Sequence, residues 1–118
     1  MLFSITSSLS ALHAYGQKLR VNADNIAHVN TNGYRRKTAT LTEGAQGDVT
    51  VNISRAARER QGYISAEKPR HELTEPPSDV NLVDEIPSLA TTQRAYEANL
   101  KAVQTEERML GTLLNIFG

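Results

Sequence analysis

The chain has no cysteine and no tryptophan, and its two Phe and four Tyr make up only 5% of 118 residues. Without Cys there are no disulfides, no thiolate chemistry and no cysteine-based zinc site. That absence suits exported and cytosolic proteins alike. Large rings bury the most area per residue, so a self-sufficient core would be thin. Excess charge is also missing, with 13 Lys and Arg against 13 Asp and Glu. Nucleic-acid binders draw much of their affinity from a basic excess that neutralises phosphate, so no nucleic-acid partner is expected. Neutrality also removes the self-repulsion that keeps copies apart. No stretch approaches the roughly 20 apolar residues of a membrane span. The first charged side chain is Lys18, and the preceding residues, SITSSLSALHAYG from Ser4 to Gly16, are rich in hydroxyls. A cleaved secretory signal needs a cationic start and a continuous apolar core, so any export would use an uncleaved route.

What the chain does contain is a seven-residue apolar repeat at each end. Ile5, Leu9, Leu12, Gly16, Leu19, Ala23 and Ile26 alternate spacings of four and three, as do Ile86, Leu89, Gln93, Tyr96, Leu100, Val103, Glu107, Leu110, Leu114 and Phe117. Such spacing keeps one stripe of a helix facing a partner. The expected fold is mainly α: two long terminal helices packed as an antiparallel coiled-coil-like pair, with a small β-hairpin element between them. The first helix is expected to begin near Ser4 or Thr6, capped by a hydroxyl, and to run towards Asn30. Gly16 in the seam reads either as a close backbone approach or as simple tolerance. Asn32-Gly33 is a turn signal, because both residues accept positive φ.

Arg35–Thr42 would leave that turn extended. Asp48–Ile53 alternates like a half-buried strand after a polar turn flanked by Gly44 and Gly47. Gly62-Tyr63-Ile64 would start another short strand, with charged Arg55–Gln61 as the connecting loop. Lys68–Asp79, with Pro69, Pro76 and Pro77, reads as an extended linker. The second helix is expected to start between Asn81 and Glu85, with Asp84 as an acceptable cap, and to reach about Ile116. Pro87 would fall in its first turn and lose no hydrogen bond there. The divisions are 1–34, 35–80 and 81–118, together one domain.

No catalytic constellation emerges. His13, His28 and His71 lack metal-ligand spacing, and Asp84-Glu85 and Glu106-Glu107 read as solvated carboxylates. No catalytic, cofactor-binding or metal-binding residue is expected, and no cofactor. The basic run Arg35-Arg36-Lys37 reads as a solvated strand end, a nucleic-acid contact or a contact with an acidic face of a neighbouring subunit. Gln93 and Glu107 interrupt the second seam. Beside them Met109, Leu113 and Ile116 form a second stripe, and a band that wide favours contact with more than one helix.

Two stretches carry a resemblance. Ala23-Asp24-Asn25-Ile26-Ala27-His28-Val29-Asn30-Thr31-Asn32-Gly33-Tyr34 resembles the A-N-N-I-A-N-x-N-T-x-G-[YF] signature of bacterial flagellar rod and hook proteins, with Asp24 and His28 in place of its Asn residues. Ser78–Glu85, followed by Thr92-Gln93-Arg94-Ala95-Tyr96-Glu97-Ala98-Asn99 and the Leu-rich ending Leu110–Ile116, is similar to that family's C-terminal signature. The resemblance implies a structural subunit of the flagellar basal-body rod. It would be exported by the flagellar type III apparatus and would polymerise through its terminal helices in the periplasmic part of the basal body. Its implied partners are other copies and other rod and hook-basal-body proteins. Asn25, Asn30, Gly33 and Tyr34 would shape the helix end; Gln93, Arg94, Tyr96 and Asn99 would make helix and intersubunit contacts. With Ile5, Leu9, Leu12, Leu19, Ile26, Leu100, Val103, Leu110 and Leu114 they form the expected contact set. The short middle suits a proximal-rod subunit, although Arg55–Pro77 lacks the pattern usual there. The alternative is a cytoplasmic coiled-coil adaptor or export chaperone of the flagellar system.

Overall fold

A computed structural model describes residues 2–56 and 75–118. The expected strand at Gly62–Ile64, most of the Pro69 linker and His71 lie outside the described residues. The elements run α1 (Leu2–Ala27), β1 (Lys37–Glu43), β2 (Val49–Arg55) and α2 (Leu82–Phe117). α1 and α2 pack against each other in opposite directions. The Ser4 hydroxyl donates to Glu106 at one end, and Asn22 donates to Glu85 at the other. The fold is therefore the expected pair of long helices with a small antiparallel hairpin between them in sequence.

The helix limits differ from the sequence pattern for local reasons. α1 begins at Leu2 and stops at Ala27 rather than Asn30. Its last turn tightens as His28 N–H donates to the carbonyls of Asp24 (3.2 Å) and Asn25 (3.1 Å), which serves carbonyls left over at a helix end. Gly33 then takes the left-handed conformation (φ 73°) that its turn requires. The cap of α2 is Asn81, not Asp84: its Oδ1 accepts Val83 N–H at 3.1 Å, and its Nδ2 donates to Asp84 at 3.1 Å. Pro87 sits beyond the first turn, as the sixth residue of α2. It therefore does remove a backbone bond, the one Val83 C=O would have accepted, and the helix continues through it.

β1 and β2 pair from Lys37↔Arg55 to Glu43↔Val49. The turn is Gly44–Asp48, where Gly47 N–H donates to Gly44 C=O at 3.1 Å and Gly47 is left-handed (φ 75°), the arrangement of a short hairpin loop. The strand partner of Val49–Arg55 thus precedes it, and Arg55 belongs to the strand rather than to a connecting loop. One face of the hairpin is Thr38, Thr40, Thr42, Thr50, Asn52 and Ser54, all exposed. The other face leans on α1, where the Ser7 hydroxyl donates to Gly47 C=O and Val49 N–H donates to Ser10 Oγ at 3.0 Å.

The interior is small. Among the described residues its buried apolar members are Ala11, Ala14 and Val21, alongside buried Asn22, Asn25, Glu85 and Thr92. The contact line on α1 therefore runs one position off the expected seam, leaving Leu12, Leu19 and Ile26 half-buried and Leu9 50% exposed. On α2 the seam divides. Leu89, Tyr96, Val103 and Leu110 are half-buried, whereas Ile86, Gln93, Leu100, Glu107 and Leu114 are exposed. A Cβ on Gly16 would lie 3.8 Å from the Tyr96 ring, an ordinary contact, so close approach does not demand glycine there.

Candidate functional site: a polar clasp beside an open apolar flank

The two end signatures meet in space where α1 ends, the hairpin begins and α2 starts. Asn25, 1% exposed, is the hub. Its Nδ2 donates to Lys37 C=O at 2.8 Å and its Oδ1 accepts Lys37 N–H at 3.0 Å, so the side chain pairs with β1 much as a neighbouring strand would. The Tyr34 hydroxyl donates to the same Oδ1 at 3.1 Å and lies 3.3 Å from Asp24, while its ring stacks on His28 with centroids 4.6 Å apart. Asp24 also binds the Lys37 ammonium. That contact holds the Asp24 carboxyl below the ordinary carboxylate range. Burial, aided by the Asp24 charge, pushes the Tyr34 phenol up.

The second half of the clasp centres on Glu85, 2% exposed. Asn22 Nδ2 donates to its Oε2 at 3.2 Å, and Arg36 Nε faces its Oε1 at 2.7 Å without hydrogen-bond alignment, a charge pair. Asp79 accepts Arg36 N–H at 2.5 Å and lies 3.9 Å from the Arg35 guanidinium. Gly33 N–H donates to Pro76 C=O at 2.7 Å. The basic run therefore finds acidic partners within its own chain. Glu85 and Glu106 are not solvated carboxylates, since both face α1. What could have found them is the exact seven-residue recurrence Glu85, Thr92, Asn99, Glu106, the polar centre line of α2.

Beside the clasp lie two adjoining open clefts. One of ≈ 470 Å³ is lined by Asp24, His28, Gly33, Tyr34, Arg35, Lys37, Arg55 and Ala56. The next, of ≈ 280 Å³, adds Arg20, Val21 and Ile53. Among the described residues no group of three or more His, Cys, Asp or Glu is placed to hold a metal ion, and no helix is long and apolar enough to cross a membrane.

The expected contact residues separate into two sets. Asn25 and Tyr34 work inside the clasp, while Asn30 and Gly33 sit exposed at its rim. Asn99 donates to Ala95 C=O within its own helix at 2.9 Å. Ile5, Leu12, Leu19, Ile26, Tyr96, Val103 and Leu110 are half-buried. Outward lie Leu9, Gln93 (bonded to Glu97 at 3.1 Å), Arg94, Leu100 and Leu114. Past Glu106, opposite the start of α1, α2 continues through residues 107–117, roughly 16 Å at 1.5 Å per residue. There Leu114 is 73%, Ile116 70% and Phe117 87% exposed.

The family model for the flagellar basal body rod FlgEFG protein C-terminal matches residues 78–116, which are α2 with its capping segment. The chain is 29% identical over 98 residues to flagellar basal-body rod protein FlgG of Buchnera aphidicola subsp. Schizaphis graminum, and 28% to that of Buchnera aphidicola subsp. Acyrthosiphon pisum. Each alignment covers 83% of this chain and 34% of the relative, so the chain spans about a third of the length of the curated relatives it matches. In its C-terminal segment and across most of its length, the chain is similar to flagellar basal-body rod proteins.

Proposed function

We propose that the chain is a non-enzymatic structural subunit of the bacterial flagellar basal-body rod. Its clasp fixes the geometry of one subunit, and the open flank of its helix pair packs against other copies and other rod proteins. The observation that carries this reading is the divided seam: Ile86, Leu100 and Leu114 keep heptad spacing yet remain 54%, 39% and 73% exposed. A heptad stripe left in water is a partner surface in waiting. The rod names of the relatives support assembly of this kind. Export without a cleaved signal and a place in the periplasmic rod belong to the same proposal, as does a proximal position. The experiment is a clean deletion with fractionation of the tagged, complementing chain. Loss of swimming and co-purification with basal bodies are expected. Normal swimming, or a chain found only in the soluble cytoplasm, would refute the proposal.

A further inference from the structure

Among the described residues, the groove beside the clasp carries more positive charge than the carboxylates around it neutralise. Arg20, Arg35, Lys37 and Arg55 line it against one carboxylate, Asp24, which is taken by Lys37. Arg35 has Asp79 at 3.9 Å, and among the described residues Arg20 and Arg55 have no ion-pair partner within the chain. Ile53, 46% exposed, adds an apolar wall. A groove of this character fits an apolar segment that carries a carboxylate.

α2 presents such a segment at its other end. Glu107 is exposed and falls between Leu100 and Leu114, one heptad from each. A carboxylate within a stripe that becomes buried must meet a cation, because an unpaired charge in an apolar contact is costly. The hollow beside Arg108 on α2 itself offers a single cation (≈ 380 Å³). The groove at the clasp offers several.

We infer that the groove between α1 and the hairpin receives Glu107 of a second copy, which pairs with Arg20 and Arg55 while one of the flanking leucines packs against Ile53. This inference rests on the proposed role as a rod subunit and names the contact that propagates it. The groove adjoins Glu85's end of α2 through the clasp, whereas Glu107 lies 22 residues further on, roughly 33 Å along the helix. Each copy therefore offers a knob at one end and a socket at the other. A head-to-tail contact of this kind builds an open array rather than a closed dimer.

The test uses the full chain in cells that assemble flagella. Glu107→Arg alone, and Arg20→Glu with Arg55→Glu, should each lower the amount retained in purified basal bodies roughly tenfold, and combining them should restore it to within about twofold of the parent. All three positions are exposed, so the purified variants should melt like the parent. Because the chain has no cysteine, a variant carrying Glu107→Cys and Arg55→Cys gives a second readout, with oxidation expected to link copies into a ladder. Full retention of the single reversals would overturn the inference, as would a combination no better than its parts or the absence of a ladder. Those outcomes leave the rod assignment standing so long as the parent chain fractionates with basal bodies. A parent chain absent from them would sink the assignment, and the inference with it.

Discussion

Where α1 runs into the hairpin, Asn25, Tyr34 and Lys37 form one polar cluster and Asn22, Arg36 and Glu85 form another beside it, each about a buried hub. At the opposite end α2 runs on past Glu106, and its last apolar residues, Leu114, Ile116 and Phe117, lie largely in solvent. The difference shows how a small chain divides its labour. Buried apolar area is scarce, so the chain's own geometry is set by directional hydrogen bonds and charge pairs, and under the proposed function the exposed apolar residues are left for contacts with other subunits. Such bonds contribute little net energy each, but they leave costly orphans when broken.

Substitutions should therefore hurt folding at the clasp and spare it at the flank. The largest effect is expected from Asn25→Ala, which strands Lys37 N–H and C=O and leaves the Tyr34 hydroxyl only Asp24 as acceptor. A loss of about 3 kcal/mol should appear as a lower denaturant midpoint. Glu85→Ala comes next, leaving Arg36 without its counter-charge and Asn22 without its carboxylate acceptor. About 2 kcal/mol is expected, less than for a fully buried pair because the Arg36 side chain is 36% exposed. Partial recovery when Asn22→Ala is added to Glu85→Ala would show that the cost lies in the unpaired groups.

Acid should act more gently. Asp24 titrates below its ordinary range when folded, so its contribution is present above about pH 4 and is lost as pH falls through the folded value. Lys37→Met should flatten that part of a stability–pH curve. Tyr34 has the opposite sign, its raised value keeping its contribution intact below about pH 10 and losing it as pH rises through the folded value. The smallest effect on folding belongs to Leu100→Ser and Leu114→Ser, within about 0.5 kcal/mol by thermal melting. The same two changes should abolish assembly into basal bodies. If they unfold the isolated chain instead, the flank is part of its core and the comparison fails.

Much of the architecture was legible because periodicity encodes it. The terminal heptads gave two long helices, Asn32-Gly33 gave the turn, and alternation from Val49 gave β2. The pairing was not legible, since a strand pattern does not name its partner; the Gly44–Asp48 loop closes on β1 by geometry that appears only in three dimensions. The clasp was half visible. Asn25 and Tyr34 stood out through the signature they belong to, but Asp84-Glu85 looked like any solvated acidic pair. Glu85 is buried because Pro87 and the Asn81 cap fix where α2 begins, which turns residue 85 towards Asn22 and Arg36. The displaced seam has a similar origin: at small or polar centre-line positions such as Ala14, Asn22, Asn25 and Thr92 an apolar repeat cannot tell which of two adjacent stripes faces inward.

Amide hydrogen exchange, compared between the isolated chain and the chain in purified basal bodies, tests the central claim most directly. Lys37 N–H and the amides at the start of β1 should be protected in both states, whereas residues 107–117 should become protected only on assembly. Equal protection of 107–117 in the isolated chain, or rapid exchange at Lys37 before assembly, would contradict it.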